Sequence, residues 1–286
     1  MLSRTLAVIL LAVLTPTSAY AAPPATGQMA PESAPMSTQE LMQASALDQI
    51  FTSFAETIAT SPEVQGQQVP PAFAAIWKQT ASDVFKADQL HAQIASALEG
   101  RFSRGELQAL SDFFRSDFGK RITAIEVGVQ QLPVSEQFAA RDQGLNILGD
   151  LVPGSRRERQ IDDIMTLVSA DISRAVLGEA MRGMMLSMAT SGATGDIEIP
   201  WEEIDAQLAQ ILPGVELEVL STQRAIIAYA YQALSDDDLD IYLDFLATEQ
   251  SQKFYATSSV VVGQVIKGAM SRFGEELASR LNRVNV

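Results

Sequence analysis

Cysteine is absent from the 286 residues, and histidine occurs once, as His91. Without cysteine there is no disulfide, no thiolate metal site and no thiol nucleophile. One histidine cannot form a two-histidine zinc site or an H-E-x-x-H helix. The nucleophile elbow G-x-S-x-G, the phosphate loop G-x-x-x-x-G-K-S/T and the dinucleotide fingerprint G-x-G-x-x-G are also missing. Basic residues are scarce: 20 Lys and Arg stand against 35 Asp and Glu, a formal charge of −15. A chain this acidic repels nucleic acid, whose binding rests on neutralised phosphates. It has no polybasic segment for anionic lipid either. No apolar run reaches the roughly 20 residues of a membrane-spanning helix, so no transmembrane anchor is expected in the mature chain.

The N-terminus is the most specific local signal. Met1 to Arg4 is a short basic start, Thr5 to Leu14 is apolar throughout, and Ala19-Tyr20-Ala21 gives an A-x-A cleavage site. This is the pattern of a secretory signal peptide over residues 1–21, cut near Ala21. The mature chain is therefore expected in the periplasm or secreted. Residues 22–36, rich in Pro and Ala, read as a flexible leader.

From Ser37 onward the pattern is helical. Ser37-x-x-Glu40 is a capping box, in which the hydroxyl and the acid satisfy orphan amides at a helix start. Leu47, Ile50, Phe51, Phe54 and Ile58 then share one face, predicting a single helix that ends before Pro62. Further helices are expected after Pro70-Pro71, from Asp88, from Ser103, from Ser116 and over about 135–148. The second half predicts a long helix from Ile161 to Met188 and a short one over Trp201–Leu212, closed by Pro213-Gly214. Two more follow, over Val215–Leu234 and from Phe254 to Leu281. Sustained two-residue alternation is lacking, so the fold class is all-α.

One block occurs twice. Residues 101–121, RFSRGELQALSDFFRSDFGKR, align without a gap on residues 233–253, ALSDDDLDIYLDFLATEQSQK, 132 positions later. Ser103, Glu106, Leu107 and Phe113 meet Ser235, Asp238, Leu239 and Phe245, whereas Gly119 and Lys120 meet Ser251 and Gln252. The shared positions are those of a helix cap and a core, which marks the block as folding machinery.

Phe102, Ser103, Glu106, Leu107, Phe113, Phe114, Ser116, Gly119 and Lys120 form a pattern that resembles the bacterial "domain of unknown function 2059". Phe114 and Asp117 stand where that family usually has tyrosine and proline. The resemblance is specific over about residues 41–131. It implies a small exported helical domain with no established activity. The architecture expected is two tandem homologous helical-bundle domains, 37–150 and a divergent 151–286, divided near Pro153-Gly154. A single continuous bundle is the alternative.

The remaining clusters have plain readings. Asp236, Asp237, Asp238 and Asp240 suit the first turn of a helix, and Ile241 stands where a calcium loop requires glycine. Met181, Met184, Met185 and Met188 share one helix face and suit irregular core or an adaptable groove for a protein partner or apolar ligand. Thioether ligation of Cu(I) is the sharper reading of those four. Overall the sequence points to a non-catalytic exported binding or envelope-associated protein without a cofactor. The alternative is a periplasmic hydrolase or lyase using carboxylates such as Glu106.

Overall fold

The structure, a computed structural model, describes residues 34–47, 58, 70–169 and 201–284. Those residues form α-helices and no strand. In chain order the helices are α1 (Thr38–Ala44), α2 (Pro71–Val84), α3 (Ala87–Leu98), α4 (Arg104–Arg115) and α5 (Asp117–Gln130). They continue with α6 (Val134–Asp150), α7 (Arg156–Ile164), α8 (Trp201–Ala230), α9 (Asp236–Leu246) and α10 (Glu249–Val284). A π-helical turn, Met165–Ser169, extends α7, and a 3₁₀ turn, Tyr231–Ala233, follows α8.

The packing is reciprocal. In the first half α1 lies on α3 and α4; in the second α7 lies on α8 and α9. The last helix of each half then reaches across to the other. α10 lies along α2 and α3 and meets α4, while α6 lies along α8. Shifting α2–α3, α4 and α5–α6 by 132 residues brings them onto α8, α9 and α10. Each half thus covers the opening helices of its counterpart.

Two buried clusters result, and both mix the halves. The first joins Trp77, Leu90, Ile94, Leu110 and Phe114 to Phe254, Ile266 and Phe273 of α10. The second joins Ile122, Val129 and Ala140 to Ile226, Ile227, Leu239 and Tyr242. Phe113, Phe245 and Tyr255 touch both clusters. At the expected boundary Gly154 has φ 73, the left-handed turn conformation expected of glycine.

Three expected helix boundaries are corrected. α1 stops at Ala44, and Ala46 takes φ 56, so the helix begun at Ser37 ends before Leu47; Ile50, Phe51 and Phe54 lie outside the described residues. Pro213 lies inside α8, so Trp201–Leu212 and Val215–Leu234 are not separate helices. Proline frees the carbonyl four residues earlier, here that of Ala209; Ala209, Gln210, Pro213 and Gly214 are all exposed, so water can take the hydrogen bond. α10 begins at Glu249, inside the second block and ahead of the expected Phe254. The end of the expected leader is also held: Arg115 donates to the carbonyl of Ala34 at 2.8 Å, and Met36 N–H donates to Ser111 Oγ at 2.8 Å.

Candidate functional site

The two copies of the block start their helices alike. Ser103, with φ −68 and ψ 161, accepts from Glu106 N–H at 3.3 Å, and its own N–H donates to Glu106 Oε2 at 2.7 Å. Ser235, with φ −73 and ψ 162, repeats this with Asp238 at 3.1 and 3.2 Å. At the far end Ser116 Oγ donates to the Phe113 carbonyl at 2.6 Å and accepts from Gly119 N–H at 2.9 Å. Thr248 does the same to the Phe245 carbonyl, at 2.7 Å. Leu107 is half-buried and Leu239 fully buried. Gly119 is buried because the turn comes too close for a side chain: a Cβ there would sit 2.0 Å from the Phe113 carbonyl oxygen.

The copies also face each other. The Phe113 and Phe245 rings lie parallel, 3.4 Å between centroids and 3° apart in plane. Lys253 Nζ pairs with Glu106 at 2.7 Å, and Arg121 pairs with Asp238 at 2.5 Å. Lys253 and Arg121 are themselves 132 residues apart, so each stretch offers an acid and a cation at matching positions to the other. The Lys253 ammonium, followed by the Ser103 amide, holds the Glu106 carboxyl down to about 2. It stays ionised through the whole working range.

The burial expected of Phe113 needs correction. Phe114 is the buried ring, 4% exposed, while Phe113 and Phe245 are half-buried. Helical geometry puts Leu110 and Phe114 on one face, four residues apart, and turns Phe113 towards its counterpart.

The acidic cluster of α9 is occupied by the arginines at the start of α7. Arg156 pairs with Asp237 at 2.7 Å and with Asp240; Arg157 pairs with Asp236 at 2.6 Å. Arg157 also donates to the Leu234 carbonyl at 2.7 Å. The two densest charge clusters of the chain thereby neutralise each other. Among the described residues no group of three or more His, Asp or Glu is placed to hold a metal ion. Met181, Met184, Met185 and Met188 lie outside the described residues.

One acid was not singled out by the sequence. Glu126 on α5 is buried, and its Oε1 accepts from both Tyr231 Oη and Tyr242 Oη at 2.6 Å. Burial pushes its carboxyl above the usual range, against the pull of the two phenols. Burial, then the Glu126 charge, pushes both phenols well up. In sequence Glu126 falls next to the apolar face of Ile122, Ile125 and Val129. Its partners are 105 and 116 residues away, beyond any local signal.

The open concavity is elsewhere, between α6 and α8. It has a volume of about 430 Å³ and is lined by Phe138, Arg141, Leu145, Glu218, Ser221 and Thr222. α6 and α8 approach so closely beside it that a Cβ on Gly144 would lie 1.9 Å from the Ala225 carbonyl oxygen. Leu145, which lines the groove, is 42% exposed, and Leu217, next to the lining residue Glu218 on α8, is 70% exposed.

Residues 88–137 match the family described as an uncharacterized protein conserved in bacteria, domain of unknown function 2059. The match covers α3, α4, α5 and the turn into α6, the span carrying the crisp copy of the block. No curated protein matches, and no solved structure matches. Among the described residues no helix is long and apolar enough to cross a membrane.

Proposed function

We propose that this chain is an exported, non-catalytic binding protein of the bacterial envelope, built from two copies of one helical unit. The observation that carries the reading is the engagement of Glu106, the acid of the family-like motif. It caps its own helix and pairs with Lys253, which leaves no free carboxyl for acid–base work. A general acid or base works best with a pKa near the operating pH, whereas Glu106 is held at about 2. The signal-like N-terminus supports export, and the groove between α6 and α8 supports a role in binding a peptide or small apolar ligand. The stack of Phe113 on its counterpart Phe245, with the reciprocal pairs Glu106–Lys253 and Asp238–Arg121, supports the duplication.

The test is the thermal stability of Glu106→Gln beside Ser103→Ala. Both variants should lose stability: Ser103→Ala removes the hydroxyl of the capping box, and Glu106→Gln keeps an acceptor there but loses the ion pair with Lys253 and the negative charge at the helix start. A gain in stability on Glu106→Gln would instead mark a strained acid of an active site. That result would favour the carboxylate hydrolase.

A further inference from the structure

We infer that the repeated block is a self-recognition surface, and that the partner it fits is a second copy of this chain, bound by exchange of halves. The inference rests on the duplicated reading proposed above. Three contacts carry it: the parallel Phe113–Phe245 stack, the Glu106–Lys253 pair and the Asp238–Arg121 pair. A two-fold dimer has the signature that residue i of one subunit meets j of the other while j meets i. Here that signature appears inside one chain, with the stack on its axis.

The long helices make the association a clasp. α2 and α3 take their cover from α10, and α6 takes its cover from α8. A half therefore finishes its core only with the opposite half. Nothing in those contacts requires both halves to belong to one chain. The link between them, Leu151 to Ser155, is short and contains Pro153 and Gly154; Val152 within it is 72% exposed. Opening that link at Val152 and Pro153 keeps Leu151 on the second cluster and the Ser155 cap of α7, and two chains can close on each other through the same contacts. Such an exchange of identical elements is a low-cost route to a dimer.

The absence of cysteine makes the test direct. The full-length variant Glu106→Cys/Lys253→Cys is treated with a short bifunctional maleimide. Chains carrying Glu106→Cys alone and Lys253→Cys alone are treated after mixing folded, and again after joint unfolding and refolding at rising concentration. We expect an internal cross-link in the double variant and a cross-linked dimer of the two single variants after joint refolding. An internal cross-link with no mixed dimer at any refolding concentration overturns the exchange and leaves the duplication standing. No internal cross-link overturns the reciprocal contacts, and the duplicated reading with them. Both side chains are partly exposed, so the cysteines remove no core. Arg121→Cys/Asp238→Cys repeats the readout at the second pair.

Discussion

Phe113 and Phe245 are the residues where the halves meet, and their interaction can be isolated from simple burial. Offset or edge-to-face aromatic pairs contribute about 0.5–1.5 kcal/mol beyond the area they cover, and the face-to-face arrangement of Phe113 and Phe245 is less favourable. A double-mutant cycle on Phe113→Leu and Phe245→Leu should return a coupling near the lower end of that range, about 0.5 kcal/mol. Strict additivity would show that the rings do not meet. Glu126 gives a second test at this scale. Its folded pKa is raised above the unfolded value of 4.5. The folded state therefore keeps a proton that the unfolded state loses, and the stability this contributes is complete below about pH 4.5 and lost as pH rises through the folded value. Denaturant unfolding of the wild type and of Glu126→Gln across pH 4–8 should show a gap that narrows and reverses in favour of the glutamine. The steepest change expected is about 1.4 kcal/mol per pH unit. Parallel curves would mean that Glu126 is not buried as described. Neither the stack nor this carboxyl was legible as a contact, because alternation of apolar and polar residues reports which face is covered and not by what.

Helix starts were legible, since a cap is closed by residues three positions apart. Ser37, Ser103 and Ser235 each accept the amide expected of them. Helix ends were legible only in part. Pro213 marks a stop in isolation, yet α8 runs through it, and the positive φ of Ala46 ends α1 within an apolar pattern that continues past it. Glycines separate propensity from packing. Gly105→Ala in α4 meets nothing within 4 Å and should gain roughly 0.5–1 kcal/mol, the usual advantage of alanine in a helix. Gly119→Ala must force the backbone of Phe113 away and should lose about 1–3 kcal/mol. Thermal unfolding of the two variants should move in opposite directions. A gain at Gly119 would refute the close turn between α4 and α5. Ser103→Ala should cost about 1 kcal/mol, measured by chemical denaturation.

At the scale of the molecule, the all-α class was legible from periodicity, and the like starts of α4 and α9 from the likeness of residues 101–121 to 233–253. The crossing of the halves was not, because nothing in α10 specifies α2 and α3 rather than α6 as its neighbour. Since each buried cluster draws on both halves, unfolding should be one cooperative transition, with calorimetric and van't Hoff enthalpies in agreement. Two resolved transitions would show halves that stand alone. The crossing also sets a timetable. Chains are made from the N-terminus, and their domains usually fold in that order as they emerge. Here α10 is the cover for α2 and α3, which are made well before it. The early helices wait with their apolar faces open until α10 has been made. On the exported reading proposed above, that wait acts as a delay to folding, written into the order of the helices.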